Sequence, residues 1–250
     1  MLHNYHTHTA RCGHAVGTER EYIESAISKG IQTLGFSDHA PYIFPDGHQS
    51  GHRVRVEQLF EYAETVRALA KEYEKDIRIL CGFELEYYPD FHKEEMEFLR
   101  QVHPDYLIMG QHFIGNELDW RPASKQFSDD FALVAYVSQV LAGLATGDFL
   151  YLAHPDMAGM RFTKECIDQQ YRRLCEGAKR MGIPLEINLL GVREGRHYPS
   201  LDFFKIAAEV GNDIVLGVDA HAPEHLIQTG EEKALEMVQQ LGLHLIDKLI

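Results

Sequence analysis

The stretch Asn4-Tyr5-His6-Thr7-His8 contains the end of the first predicted strand, which covers residues 2–6, and its exit at residues 7–8. Side chains of an extended chain alternate between two faces, so the imidazoles of His6 and His8 point to the same side. Two such rings can bind one metal ion, although a His-x-His pair can also be an accident of a surface or a core. The ends of the later predicted strands decide between these interpretations.

Seven short apolar segments are predicted strands, and helices separate most of them. The predicted strands cover residues 2–6, 32–37, 77–83, 105–110, 149–153, 184–189 and 214–218. Thr18 and Glu21 form a capping-box pattern that opens the first helix, which ends at Gly30. Strands that alternate with helices indicate an α/β protein with a parallel sheet, and we expect a closed or nearly closed barrel. The site of such a barrel forms at the C-terminal ends of its strands.

Six of the seven predicted strands end in histidine, glutamate or aspartate, and the sixth strand is the exception. With one histidine of the first loop, the set is His6, His8, His14, His39, Glu84, His112, His154, Asp219 and His221. Imidazole and carboxylate ligands together suit zinc, manganese or iron better than calcium or magnesium. Nine ligands are too many for one ion and suit three. His48 and His52 have helical spacing, but the glycines beside them favour a loop.

The formal net charge of −14 argues against a nucleic-acid partner, because such binding depends on many contacts from Lys and Arg to phosphates. A small phosphorylated substrate remains compatible if positive charge is supplied locally. Three divalent ions, two carboxylates and one bridging hydroxide would leave a charge of about +3 in the site. The ions would also lower the pKa of bridging water. Glu84 and Asp219 are the candidate catalytic carboxylates, because a carboxylate can bridge two cations.

The composition, with 45% hydrophobic and 25% charged residues, is ordinary for a globular protein. No apolar run approaches the roughly 20 residues of a membrane helix, and the N-terminus does not resemble a signal peptide. The four cysteines are scattered, which favours neither a zinc knuckle nor a disulfide framework. We therefore expect a single domain over residues 1–250, without a membrane partner, in the cytoplasm. The oligomeric state stays open.

The motifs at the strand ends resemble those of the polymerase-and-histidinol-phosphatase (PHP) family. They are His6-x-His8, His14, Ser37-Asp38-His39, Gly82-Phe83-Glu84, His112, His154-Pro155 and Asp219-x-His221. The resemblance implies an irregular (β/α)7 TIM-like barrel with three metal ions. It assigns His6, His8, Glu84 and Asp219 to the first ion, Glu84, His112 and His154 to the second, and His14, His39 and His221 to the third. Residues 12–18 and 35–41 resemble the histidinol-phosphate phosphatase branch.

Substrate-binding residues are sought among the arginines, because arginine binds phosphate through two parallel hydrogen bonds. Arg161 follows the fifth predicted strand, and Arg193 and Arg196 follow the strand that has no metal ligand. Each could instead be a solvated surface residue. His197 is a candidate acid for the leaving alkoxide. Four acids could bind a substrate ammonium group, and the sequence does not choose among Asp38, Glu117, Asp119 and Asp156.

The branch resemblance implies a phosphomonoesterase of histidine biosynthesis, which hydrolyses L-histidinol phosphate by attack of a metal-bridging hydroxide. Other PHP-type substrates are alternatives: nucleotides, phosphotyrosine proteins or DNA 3′ ends. The negative charge disfavours DNA, and the loops at 41–54 and 113–128 are long enough to cover a site that a phosphotyrosine protein would need open. A non-catalytic metal-binding protein is a different class. Turnover of a generic aryl phosphate by the metal-loaded protein would exclude it.

Overall fold

The computed structural model describes residues 1–119, 121–124, 129–158 and 162–250. Its strands are β1 (His3–Asn4), β2 (Thr33–His39), β3 (Arg78–Leu85), β4 (Tyr106–Met109), β5 (Leu185–Asn188), β6 (Asp213–Gly217) and β7 (His244–Leu245). Its α-helices are α1 (Glu19–Lys29), α2 (Leu59–Glu72), α3 (His92–Leu99), α4 (Asp130–Leu144), α5 (Lys164–Met181), α6 (Leu189–Glu194), α7 (Leu201–Val210) and α8 (Glu231–Leu241). Strands and helices alternate along most of this order, as the sequence predicts.

All the strand pairs are parallel. One sheet has the order β1-β2-β3-β4 and the other has the order β5-β6-β7. Isolated parallel bridges join Met109 to Leu152, Leu152 to Leu185, and Thr7 to Ala220. The result is an α/β fold with a curled parallel sheet, so the predicted sheet is confirmed. Among the described residues, continuous strand pairing around a full TIM-like barrel is not observed.

The prediction of a regular fifth strand at residues 149–153 is wrong. In the structure this segment hydrogen-bonds to β4 and to the start of β5, but it contributes one bridge residue, Leu152. The segment leaves the sheet at His154, because His154 has a left-handed φ of 29° and the following Pro155 has no N–H to donate. Residues 243–250, which lie beyond the seven predicted strands, contain the short strand β7.

Buried apolar residues form two separate groups. The larger group packs between the strands and the helices and includes Phe36, Phe83 and Ile187. The smaller group contains Tyr5, Leu80, Tyr106, Ile108, Tyr151, Ala153 and Val215. The hydroxyl of Tyr106 lies 2.8 Å from the carbonyl oxygen of Tyr5, to which it donates, and 3.2 Å from that of Phe36. The side chains of the smaller group fill the inside of the curl, so the space for a ligand lies at the carboxyl ends of the strands.

The helix boundaries follow the local signals of the sequence. The capping box of Thr18 and Glu21 is formed, and α1 ends at Gly30 with a left-handed φ of 83°. Asn188, the last residue of β5, accepts from the N–H of Gly191 and so caps α6 directly. Among the described residues, the helices are all too short or too polar to cross a membrane.

Candidate metal centre

The carboxyl ends of the strands bring the nine predicted metal ligands together. Ligand atoms within 4.8 Å of one another group His6 with His8 and Asp219, His6 with Glu84 and His154, His39 with Glu84 and His112, and His8 with His39 and His221. His14 joins through its Nε2, which lies 3.1 Å from Nε2 of His221. His154 and Asp219 have φ values of 29° and 50°, which few residues other than glycine adopt. Such strained backbone persists where the surrounding structure holds it, commonly at functional sites.

Five buried atoms of the predicted ligands make no hydrogen bond. One is Nδ1 of His154, and the other four face one another: Nε2 of His6, Nε2 of His8, Oε2 of Glu84 and Oδ1 of Asp219. In this set of four, each nitrogen lies 3.2–3.7 Å from each of the two oxygens. Buried polar atoms without partners are costly, so four of them facing one point require a common partner. Two imidazole nitrogens and two carboxylate oxygens are a donor set that suits zinc or another transition ion. This is the set that the resemblance assigns to the first ion.

The observed groups overlap more than the assignment that the resemblance implies, since His6 also lies with Glu84 and His154, and His8 also lies with His39 and His221. His39 lies in one group with Glu84 and His112, as well as in another with His8 and His221. It therefore stands between the second and the third implied ion. Glu84 lies in the middle of the cluster, with Oε1 at 2.8 Å from Nε2 of His154 and Oε2 at 3.1 Å from Nδ1 of His39.

Gly110, just beyond β4, makes room for the Glu84 carboxylate. A Cβ atom at position 110 would lie 1.8 Å from Oε1 of Glu84 and 2.5 Å from its Cδ. No other amino acid fits here without displacing the carboxylate. The requirement is for space, since the backbone of Gly110 does not have a positive φ.

Three further carboxylates orient the histidine rings by accepting from their Nδ1 atoms. Glu186 accepts from His6 at 2.7 Å, Glu86 from His112 at 2.9 Å and Asp38 from His8 at 3.3 Å. All three carboxylates are buried. A proton held on Nδ1 leaves Nε2 free to bind a metal ion, so these contacts select the useful tautomer.

The pKa values of His8 and His14 differ because His8 lies beside two carboxylates, whereas His14 lies beside other histidines. Burial alone would lower the pKa of His8, but Asp219 and Asp38 raise it to about 9. Burial, together with His221 and His8, lowers the pKa of His14 to about 4. Against the effect of burial, the nearby histidines hold the pKa of Glu84 well below its ordinary value. The ring of His14 and the carboxylate of Glu84 are therefore in their metal-binding protonation states near neutral pH.

Cys12 lies beside the cluster, in a group with His8 and Asp38. Burial strongly raises the pKa of its thiol, and the thiol contacts the carbonyl oxygen of Thr9. Because the thiolate is the form that binds metals, a thiol that stays protonated is a poor ligand. All four cysteines are buried and free of disulfides.

A cavity of about 460 Å³ opens over the cluster, which is within the range of small-molecule sites. Both loops that are predicted to cover the site contribute to the wall of the cavity. His52 and Arg53 come from the loop at 41–54, and Glu117 and Ser124 come from the loop after β4. Predicted ligands form the floor, and Arg196 lies on the wall.

The structure separates the predicted substrate-binding residues. Arg196 lines the cavity and donates to Tyr198 and Glu194. Arg193 belongs to α6 and donates to the carbonyl oxygens of Val218 and Asp219, so it supports the backbone of a predicted ligand. Arg161 lies outside the described residues. The Nε2 of His197 contacts the carbonyl oxygen of Met157, and His197 is not among the described residues that line the cavity.

The four candidate acids also occupy different places. Glu117 is buried, lines the cavity and accepts from Nε of Arg53 at 2.8 Å. Asp38 orients His8, and Asp156 accepts from the N–H of Ser200. Asp119 accepts from the N–H of Asn116 in an exposed turn. Among these four acids, Glu117 is the one that the described cavity wall includes.

The sequence did not lead us to predict a role in the site for Glu186, Glu86 or Arg53. Arg53 is buried and donates to Glu86, Glu117 and Tyr88, so it links the two loops to the carboxylate that orients His112. For Glu186 a signal was present, because it and Asn188 are polar at alternate positions of an otherwise apolar strand. Alternation of this kind places both side chains on one face. Arg53 has no comparable signal in its loop.

The family follows from comparison with known proteins. The model of the PHP domain matches residues 4–190, well over half of the sequence, so this chain belongs to the PHP domain family. A protein of Deinococcus radiodurans named "probable histidinol-phosphatase" is 30% identical over 231 residues, covering 87% of this chain and 85% of the relative. A protein of the same name from Schizosaccharomyces pombe is 27% identical over 250 residues, covering 88% and 81%.

A solved structure shows the same fold. The histidinol phosphate phosphatase of Lactococcus lactis subsp. lactis Il1403, complexed with zinc, L-histidinol and phosphate, superposes with a TM-score of 0.75. The match covers 98% of this chain and 95% of the other, at 19% sequence identity. At this identity the likeness supports the α/β fold with its curled parallel sheet.

Proposed function

We propose that this protein, a phosphoric monoester hydrolase by its family, converts L-histidinol phosphate to L-histidinol and phosphate in histidine biosynthesis. The observation that carries the proposal is the convergence of four unpartnered atoms, from His6, His8, Glu84 and Asp219, of which the last three residues line a cavity. The names of the relatives support the substrate. Zinc, L-histidinol and phosphate in the Lactococcus lactis complex support the kind of site.

The donor set fits three divalent ions of zinc, manganese or iron, held by His6, His8, His14, His39, Glu84, His112, His154, Asp219 and His221. When bound, such ions supply an activated water and neutralise charge on the phosphoryl group. Glu84 has its two oxygens directed to different histidines, so it would bridge two of the ions. Asp219 faces His8 and His221, at 3.2 Å from each, and its part is to join the first group to the third.

Arg196 lies on the cavity wall, and its donor groups are not enclosed by buried carboxylates. We therefore assign Arg196 to binding the phosphate group of the substrate. Its present partner Glu194 is exposed, so the guanidinium can exchange that contact for a phosphoryl oxygen. Glu117 faces the same cavity and is assigned to the substrate ammonium group. His197 remains the candidate acid for the leaving alkoxide, and Arg161 and Arg193 remain secondary candidates for the phosphate.

The finer features of the fold belong to the same proposal. The bridges at Thr7–Ala220, Met109–Leu152 and Leu152–Leu185 support closure of the sheet into an irregular (β/α)7 TIM-like barrel over a single domain, residues 1–250. The four free cysteines are compatible with a cytoplasmic enzyme.

The test compares kcat/KM for L-histidinol phosphate, a nucleoside monophosphate and a phosphotyrosine peptide, using protein reconstituted with zinc or manganese. We expect a preference for L-histidinol phosphate of at least ~100-fold, which is ~2.7 kcal/mol of differential transition-state binding. Glu117→Gln should reduce the preference by removing a negative charge from the cavity wall. Comparable rates on all three substrates would contradict the assigned substrate, and no turnover of any ester would contradict the activity.

A further inference from the structure

β5, which corresponds to the sixth predicted strand and supplies no predicted metal ligand, places a carboxylate beneath the predicted metal centre. Glu186 is fully buried, and its Oε1 accepts from Nδ1 of His6 at 2.7 Å. Its Oε2 accepts from the backbone N–H of His154 at 2.9 Å. One carboxylate thus contacts two predicted ligands that lie on different segments of the chain.

The contact network of Glu186 reaches a third predicted ligand. Oε2 also accepts from Nδ2 of Asn188 at 2.9 Å, and the same Nδ2 lies 3.0 Å from Oδ2 of Asp219. The hydroxyl of Tyr151 lies 3.4 Å from Oε1. A buried carboxylate needs several donors to offset the loss of water, and here two of the three closest donors belong to the metal centre.

The neighbouring strand leaves space for this carboxylate. A Cβ atom on Gly217 of β6 would lie 1.7 Å from Oε1 of Glu186 and 2.5 Å from its Cδ. Gly217 therefore makes room for the Glu186 carboxylate, as Gly110 makes room for that of Glu84. A space of this kind fits the particular side chain that occupies it. This indicates that Glu186 is not simply a polar residue buried by chance.

We infer that Glu186 is a positioning residue for the metal centre: it holds His6 in the Nδ1–H tautomer, directs Nε2 of His6 to the first ion, and fixes the backbone from which His154 projects. The inference deepens the proposed function and rests on it for the presence of metal ions. Glu186 itself does not touch the substrate or the ions. Its effect is on the affinity and the geometry with which His6 binds the first ion.

The first measurement uses the wild-type protein loaded with zinc. Long-range 1H–15N correlation spectra report which ring nitrogen of His6 carries a proton. We expect Nδ1 of His6 to be protonated and to exchange slowly with water, because its proton is held by a buried carboxylate. Coordination of zinc through Nδ1 of His6 would overturn the inference without any variant being made.

The second measurement compares Glu186→Gln with a matched control, Glu95→Gln. Glu95 is also buried, and its Oε1 has no hydrogen-bond partner, but it is not bonded to a predicted ligand. Competition with a chromophoric chelator gives the zinc affinities. Loss of a carboxylate partner of a metal-binding histidine typically lowers affinity about 10–100-fold, so we expect a loss of that size for one ion in Glu186→Gln and none in Glu95→Gln.

Two further results separate positioning from general damage. Excess zinc should restore most of the kcat of Glu186→Gln, and Glu186→Asp, which keeps the charge, should show a smaller loss of affinity than Glu186→Gln. Equal losses in Glu186→Gln and Glu95→Gln, or unchanged affinity in both, would overturn the inference. These outcomes concern zinc alone, so they stand even if L-histidinol phosphate proves to be the wrong substrate. A wild-type protein that binds none of zinc, manganese and iron would instead overturn the proposed function.

Discussion

The substitution Gly110→Ala tests the position of Glu84 without changing any predicted ligand. The added Cβ would lie 1.8 Å from Oε1 of Glu84, whereas an ordinary contact is at least 3.4 Å. The carboxylate must therefore retreat by about 1.6 Å or the end of β4 must move. Either movement separates Oε1 from Nε2 of His154, now 2.8 Å away, and disturbs the contact of Oε2 with His39.

A displacement of this size is large on the scale that catalysis tolerates. Misplacement of a reacting group by about 1 Å can cost roughly 10²-fold in rate, so Gly110→Ala should lower kcat/KM on L-histidinol phosphate by about 100-fold or more. Elemental analysis should show the loss of at least one ion per chain. Overpacking should also lower the free energy of unfolding in urea by about 1–3 kcal/mol.

Gly177→Ala is the matched control, since it adds the same methyl group at another crowded glycine. Its Cβ would lie 2.3 Å from Cδ2 of Leu141, the far end of a flexible side chain between α4 and α5. Leu141 can change rotamer, and alanine favours a helix over glycine by about 1 kcal/mol, so activity and metal content should not change. Wild-type kcat/KM and metal content in Gly110→Ala would refute the argument about space for Glu84.

The remaining predictions concern the phosphate, the ions and a buried acid. Arg196→Ala should lower kcat/KM about 30- to 1000-fold with metal content unchanged, and Arg196→Lys should recover part of it, because a charge-assisted bond to the transferring group contributes ~2–4 kcal/mol; near-full activity of the alanine variant would make Arg196 a surface residue. The wild type should contain about three ions per chain, and Glu84→Gln should lose at least one, since an amide bridges cations poorly; one ion or fewer in the fully loaded wild type would contradict the trinuclear centre. Burial raises the pKa of Glu95 to about 8, so the folded protein keeps a proton that the unfolded chain releases above its ordinary pKa. Wild-type stability should therefore fall between about pH 5 and pH 8, and Glu95→Gln should exceed it by about 3 kcal/mol at pH 7, as measured by urea unfolding; a difference independent of pH would show that Glu95 is ionised in the folded protein.

That the strand-end side chains lie together was predictable, because parallel strands bring their carboxyl ends to one edge. His39 and Glu84 illustrate this, since they are paired residues at the ends of β2 and β3. A one-dimensional pattern of apolar segments was enough to place such residues together. The same reasoning failed at residues 149–153, where the apolar composition is that of a strand but His154 and Pro155 end the pairing after one bridge residue.

The residues that orient the ligands were harder to find from the sequence. Glu86 follows Glu84 by two positions and so shares its face, yet the sequence does not show which of the two carboxylates lies among the ligands and which accepts from a ring of the next strand. Arg53 comes from a loop without periodicity, and its burial depends on Glu86 and Glu117, which are distant in sequence. Such contacts depend on tertiary packing, which local patterns do not record.

The electrostatics of the centre impose an order on binding. Glu84, Glu86, Glu186 and Asp219 are buried around the cluster, and Arg53 is already paired with Glu86 and Glu117. Without metal ions, an approaching phosphate dianion meets these carboxylates in a chain whose net charge is −14. If three divalent ions bind as we propose, their six positive charges would exceed the four negative charges of these carboxylates, and the site would become positive. The side chains that repel a phosphate in the metal-free protein would then hold the ions that attract it, so we expect the metal ions to bind before the phosphate.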